Sequence, residues 1–153
     1  MRNFADIIRL PLPSKHPIAL PTFLQDMTQL MEASANQQGV QIQLQLLPAH
    51  HRIVSIDRQQ LELVFVNIIK NAIEAIEERG VIQIYTTSTS VLIRDNGVGI
   101  PADKAAQLFT PFYSDKVQGQ GIGLTLSKEI LMNHGFEFSL QTEGGWTSFE
   151  IKM

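Results

Sequence analysis

Two short runs of alternating glycines restrict this chain more than any other feature: Asp95-Asn96-Gly97-Val98-Gly99-Ile100 and Gly119-Gln120-Gly121-Ile122-Gly123-Leu124. Glycine lacks a Cβ, so the main chain there can take positive φ and a ligand can come close to it, at an entropic cost that a plain surface loop has little reason to bear. The second run leads into Leu124-Thr125-Leu126-Ser127-Lys128-Glu129-Ile130-Leu131-Met132, which reads as a helix. The free N–H groups of that helix start would point back at the glycines. Such a frame is an anion site, most often for phosphate.

The rest of the chain must build a scaffold for that stretch. Its 153 residues suit one domain with a sizeable core, and 44% hydrophobic with 18% charged residues is an ordinary globular balance. A net charge of -3 without a Lys/Arg cluster argues against nucleic acid as a partner. The absence of cysteine removes disulfides and thiolate metal sites, which is compatible with the cytosol. No apolar run approaches a membrane span and no signal-peptide pattern opens the chain, so the expected location is cytoplasmic, as part of a protein that could itself be anchored.

Taken in order, Phe4, Ile7, Ile8 and Leu10 have near-helical spacing that Pro11 and Pro13 stop, as at the end of a helix. Pro11 to Pro21 reads as a linker or extended arm. From Thr22, a plausible N-cap, Phe23, Leu24, Met27, Leu30 and Met31 predict an amphipathic helix ending near Gly39. Val40, Ile42, Leu44 and Leu46 alternate with glutamines as in a half-buried strand. Pro48 to Arg52 would form a turn, and Ile53 to Ile56 a short partner strand. Asp57 is the expected N-cap of the longest helix, Arg58 to Arg79, with Gly80 closing it. Leu61, Val64, Phe65, Ile68, Ile69, Ala72 and Ile76 form its apolar face, while Asn67, Asn71 and Glu74 make a narrow polar stripe with Lys70 beside it. Strands are expected at Val81–Thr86, Val91–Arg94, Phe136–Gln141 and Trp146–Ile151, the last pair joined by Glu143-Gly144-Gly145. A short helix is expected over Pro101–Phe109 and another from Gly121 to about Asn133. Adjacent strands interrupted by helices predict an α+β two-layer sandwich, with a mixed sheet of five to six strands and about three helices on one face.

Three familiar phosphate sites do not fit. There is no G-x-x-x-x-G-K-[ST], no G-x-G-x-x-G after a strand, and no H-R-D loop. Each remaining signal has a plain structural reading when taken alone: Gly97 and Gly99 as a turn, Asn67 or Asn71 as a satisfied helical asparagine. Their order along the chain is what carries a function. An asparagine stripe on a helix, an Asp-x-Gly-x-Gly turn after a strand and a Gly-x-Gly-x-Gly helix start follow one another.

That order resembles the GHKL, or Bergerat, ATPases, and specifically the catalytic and ATP-binding domain of bacterial sensor histidine kinases. Asn67-Ile68-Ile69-Lys70-Asn71-Ala72 looks like the N box and Asp95-Asn96-Gly97-Val98-Gly99 like the G1 box. Phe109-Thr110-Pro111-Phe112-Tyr113 looks like the F box and Gly119-Gln120-Gly121-Ile122-Gly123-Leu124 like the G2 box. The resemblance covers Thr22 to Met153. It implies that residues 1–14 hold the end of a dimerisation helix plus a linker, and residues 15–153 the catalytic domain.

The resemblance also assigns roles, each with a chemical reason. Asp95 would accept the exocyclic amine of adenine, which selects against guanine. Gly97 and Gly99 would let the backbone approach the base, with Ile100 packed on it and Thr147 at its edge. Asn71 would give an amide oxygen to Mg²⁺, a hard cation that completes its shell with phosphate and water. Asn67 and Lys70 would face the phosphates, Lys116 the terminal one, and Gly119, Gly121, Ile122, Gly123 and Leu124 would form the helix start holding the chain of phosphates. Residues Ala102 to Gln120 would be the ATP lid.

In hydrolytic relatives a glutamate stands where this chain has Asn67. An amide cannot take a proton from water, so the expected reaction is transfer of the γ-phosphoryl group to another nucleophile. The acceptor would be a histidine on a separate dimerisation domain, since His16, His50, His51 and His134 all lie outside an H-[DE]-x-x-x-P pattern. The chain then reads as an excised catalytic domain, monomeric by itself, with ATP/ADP, that domain and a response regulator as partners. Glu74, Ala75 and Asp115 depart from the family pattern and motivate an alternative, a nucleotide-gated interaction module without phosphotransfer. A GHKL-type hydrolase is the other alternative.

Overall fold

The computed structural model describes residues 10–46, 52–97 and 121–153, with side chains from residue 124 onward in the last segment. Its elements run β1 (His16–Ala19), α1 (Leu20–Gln37), β2 (Val40–Gln45), β3 (Ile53–Ile56), α2 (Arg58–Ala75), β4 (Gly80–Thr86), β5 (Ser90–Asp95), α3 (Gly121–Asn133), β6 (Glu137–Glu143) and β7 (Trp146–Lys152). The expected turn at Pro48–Arg52 lies outside the described residues except for Arg52. The helix end before Leu10, the helix at Pro101–Phe109 and the lid also lie outside them.

Period-two patterning builds a mixed five-stranded sheet in the order β2-β4-β5-β7-β6. Among the described strands of this sheet only β2 and β4 pair in parallel, with β3 and α2 between them in the chain. The pairings Ile84↔Ile93 and Ile93↔Phe149 align apolar side chains on one face, and Ile82, Val91 and Ile151 extend that face. These residues are buried under the helices. The opposite face carries Gln43, Gln83 and Arg94, where Gln83 Nε2 donates to Gln43 Oε1 at 3.1 Å and Arg94 Nε donates to Gln83 Oε1 at 2.7 Å. The guanidinium of Arg94 lies 4.3 Å from the Trp146 ring and 5.3 Å from that of Tyr85, a cation held between aromatic faces. The result is an α+β two-layer sandwich, as the sequence predicts.

Helix α2 buries the whole expected apolar face, Leu61 to Ala72, with Ile76 just beyond its end. Phe65 meets Phe23 of α1 edge-on, with ring centroids 5.3 Å apart. Asp57 caps α2 by accepting the Gln60 N–H at Oδ1, 3.2 Å away.

Four expectations change. The proline-rich arm is not wholly a linker, because His16–Ala19 pairs antiparallel with β3 in a separate two-stranded sheet. Consequently β3 is the partner of β1 and not of β2, whose hydrogen bonds go to β4. Helix α1 starts at Leu20 after Ala19, with Pro21 in its first turn and no side-chain cap, so Thr22 does not cap it. A proline tolerates that first turn because its missing N–H has no intrahelical partner there. Leu30, assigned to the apolar face of α1, is 59% exposed.

The fourth concerns the end of α2, which comes at Ala75 and not at Arg79. Ile76 turns extended, at φ -93° and ψ 119°, and is buried. Gly80 is then the first residue of β4, and a Cβ on it would stand 2.7 Å from both Asn96 Oδ1 and the Ile76 side chain. Its glycine serves close packing, not helix termination. At the far hairpin, Gly144 and Gly145 take φ of 60° and 81° between the paired Glu143 and Trp146, the signature of a type I′ turn.

Candidate nucleotide site

Asp95 is the last residue of β5 and projects onto the helix-covered face, opposite Ile82 on one side and Thr147 on the other. It is 5% exposed. Burial pushes its carboxyl above the usual carboxylate range, and the Gly97 N–H, donating to Oδ1 at 2.9 Å, opposes that shift. A buried carboxylate whose partner among the described residues is one main-chain N–H is poised to accept a donor from a ligand. Thr147 is also buried, with its hydroxyl 3.0 Å from that of Thr142.

The turn after Asp95 is pressed against the end of α2. A Cβ on Gly97 would meet the Ala75 carbonyl oxygen at 2.6 Å and Asp95 Oδ1 at 2.8 Å, so no larger residue fits there unchanged. Asn96 holds the same turn from the other side. Its Oδ1 accepts the Val81 N–H at 2.8 Å, and its own N–H donates to the Val81 carbonyl at 3.3 Å.

That packing sets the helical asparagines beside the turn. Asn71 lies one turn before Ala75 on α2, and Asn67 one turn earlier; both are half-buried. Lys70 between them is exposed. Helix α2 packs against α3, whose first residues are Gly121, Ile122 and Gly123 and whose Leu124 is buried. The structure thus brings Asp95, Gly97 and Thr147 together, and places Asn67, Lys70 and Asn71 on the adjoining helix. Gly99, Ile100, Lys116 and Gly119 lie outside the described residues.

The family follows from a direct match. Residues 56–153 match the family described as histidine kinase-, DNA gyrase B-, and HSP90-like ATPase. The chain belongs to that family.

Individual proteins similar to this chain agree with the match. The chain is 35% identical over 130 residues to sporulation kinase C of Bacillus subtilis (strain 168), covering 82% of this chain and 30% of that protein. It is 37% identical over 103 residues to the C4-dicarboxylate transport sensor protein DctB of Rhizobium meliloti (strain 1021), covering 63% of this chain and 17% of that protein. The chain therefore spans less than a third of the length of these relatives. In fold it is similar to the nucleotide-free catalytic domain of histidine kinase ThkA, with a TM-score of 0.79, 23% identity, and 92% of this chain and 95% of that one covered.

Some ATPase-domain residues escaped sequence reasoning. Asn96 read as a spacer within the Asp-x-Gly pattern, and nothing local signals that it braces β4. His134 figures in the sequence only as a histidine outside an acceptor pattern, yet it is buried and its Nε2 accepts the main-chain N–H of Asp57. An N-cap signal at Asp57 marks one half of that pair; the other half needs the fold.

Proposed function

We propose that this ATPase domain binds Mg-ATP and transfers the γ-phosphoryl group to a histidine on a separate helical domain of its parent protein. The observation that carries the reading is the buried Asp95 carboxylate at the end of β5, beside Thr147 and behind the Gly97 turn. A carboxylate there accepts the exocyclic amine of adenine, whereas guanine would present a carbonyl and meet repulsion.

The phosphate end falls to Asn67, Lys70, Asn71 and the α3 start. Among the described residues there is no cluster of His, Cys, Asp or Glu able to hold a metal ion by itself. The half-buried amide of Asn71 is a neutral oxygen donor, which fits a hard cation that arrives with phosphate oxygens and retains water. Bound there, Mg²⁺ would neutralise charge on the phosphates. Asn67 orients groups by hydrogen bonding but cannot remove a proton, which favours transfer over hydrolysis. Lys70 adds positive charge, and the N–H groups of the α3 start face the phosphate chain. In phosphoryl transfer such positioning and charge stabilisation do most of the work.

Residues 1–14 would join this domain to the phosphoaccepting one, and a response regulator would receive the phosphoryl group next. Among solved structures, ThkA in complex with response regulator TrrA is similar in fold, with a TM-score of 0.70, 21% identity, and 92% of this chain and 42% of that one covered. The test is calorimetric titration with ATP, with and without Mg²⁺, using GTP as competitor, followed by transfer to a histidine-bearing helical hairpin. Adenine-selective binding strengthened by magnesium, then a phosphohistidine product, is the expected result. Free phosphate without phosphohistidine would replace this reading with hydrolysis.

A further inference from the structure

Nothing in the proposed reaction uses the buried imidazole of His134. Its Nδ1–H donates to the Ile130 carbonyl at 2.8 Å, and its Nε2 accepts the main-chain N–H of Asp57 at 3.0 Å. One nitrogen donates while the other accepts, which requires the neutral ring. The Asp57 carboxylate is engaged as well. Oδ1 takes the Gln60 N–H, and Oδ2 takes the Ser14 N–H at 2.9 Å. Gln60 Nε2 adds a bond to the Pro11 carbonyl at 3.1 Å. A single pair of residues thus ties together the arm before β1, the first turn of α2 and the last turn of α3. The opposite end of α3 carries the glycines assigned to phosphate.

We propose that neutral His134 is a positioning residue that locks the arm, α2 and α3 in the register needed for nucleotide binding, and that its protonation releases the arm. An imidazolium has no lone pair for the Asp57 N–H. It carries a charge that the Asp57 carboxylate compensates, and a carboxylate drawn to the ring gives up Ser14 and Gln60. The arm then loses its anchor, α2 loses its cap, and α3 is freed at the end away from its glycines.

The surroundings hold the lock closed at neutral pH. Burial is the largest influence on His134 and pushes its pKa below the ordinary 6.5. The Ile130 carbonyl on α3 opposes that shift, Lys15 on the arm reinforces it, and Asp57 on α2 opposes it. From β6's side the ring meets Phe136, stacked 5.5 Å away, and the next residue, Glu137, pairs with Lys152. Release therefore belongs to mildly acidic conditions.

The inference rests on the nucleotide-site reading only for its effect on affinity, so two independent readouts are needed. The first follows the amide resonances of Asp57 and Ser14 across mildly acidic to neutral pH, in the wild type and in His134→Gln, whose side-chain oxygen remains an acceptor without titrating. The expected result is that both amides titrate together with His134 in the wild type and stay flat in the variant. The second compares ATP affinities of the two proteins over the same range, which cancels the titration of ATP itself. The variant-to-wild-type affinity ratio should rise about threefold or more on acidification, a modest coupling between sites. An Asp57 amide that ignores His134 titration in the wild type overturns the inference without recourse to the variant. So does a Ser14 amide that stays fixed, or an unchanged affinity ratio. If neither protein binds ATP at any pH, the nucleotide-site reading fails and the locking role in binding falls with it, while the amides still decide whether the arm is released.

Discussion

Thr147 stands directly across the β5–β7 pair from Asp95, so a buried hydroxyl and a buried carboxylate share one face at neighbouring strand ends. Directly opposed residues in an antiparallel pair have Cβ atoms about 5 Å apart, close enough for one flat ligand edge to meet both. The pairing explains how residues 52 positions apart in the sequence come to share one edge of the sheet.

Replacing Asp95 by Asn should separate binding from stability. Loss of a charge-assisted hydrogen bond to adenine should weaken ATP binding by about 10- to 100-fold. The Asp95 pKa is raised in the fold, so its stabilising share is complete below the unfolded value of 3.8 and is lost as pH rises through the folded value. At neutral pH the ionised carboxylate is a burden, and Asp95→Asn should raise the thermal midpoint. Calorimetry and thermal melts check the two outcomes; an unchanged ATP affinity would remove Asp95 from the site.

Gly97→Ala places a Cβ where the Ala75 carbonyl oxygen would be 2.6 Å away. Moving the turn off the end of α2 should cost about 1–3 kcal/mol and displace Asp95 from its seat. Denaturant unfolding together with ATP titration measures both effects, and a variant with wild-type values would show that the turn has slack.

The stability of the domain should fall as pH drops below 6.5. The folded pKa of His134 is depressed, so its contribution is present above the unfolded value and disappears as pH falls towards the folded one. Asp57, held below its model-peptide value of 3.8 chiefly by the Ser14 N–H, loses its share only at much lower pH. Thermal midpoints in His134→Gln should show a flatter profile across the upper window, with the decline confined to the lower one, where Asp57 is protonated while still bonded to Ser14.

Arg94→Ala tests the open sheet face. The guanidinium rests between Trp146 and Tyr85 on a half-buried surface, so its loss should cost about 0.5–1 kcal/mol. Nucleotide affinity should stay within twofold, on the order of additivity error for separate sites, because Arg94 projects away from the face that holds Asp95. A large fall in affinity would mean that the two faces are coupled.

Much of the scaffold was legible because the signals are local. The 3.6-residue spacing from Leu61 to Ile76 identified residues that are all buried, although the chain turns extended at Ile76 and α2 also buries Gln60 and Ile73, which that spacing left out. Asp57 was readable as a cap because a carboxylate before a helix has one nearby task, to accept an N–H of the first turn. The second β-hairpin was readable from Gly144-Gly145, which satisfy the positive φ that a type I′ turn demands. Misreadings fell where a residue's partner is remote. His16–Ala19 lies among prolines and has no strand-like run, and only β3 makes it a strand. Gly80 has the look of a helix stop, but its neighbours in space are Asn96 and Ile76.

The sequence by itself determined the apolar faces of the helices, the strand periodicity and the family to which the chain belongs, because glycine runs, asparagine spacing and apolar repeats act through adjacent backbone. Tertiary structure alone decided that β2 pairs parallel with β4, that Asp95 faces Thr147, and that His134 reaches Asp57 across 77 positions. Those outcomes depend on which surfaces exclude water together and which buried polar atoms then need a partner. Such choices are settled only when the whole chain has packed.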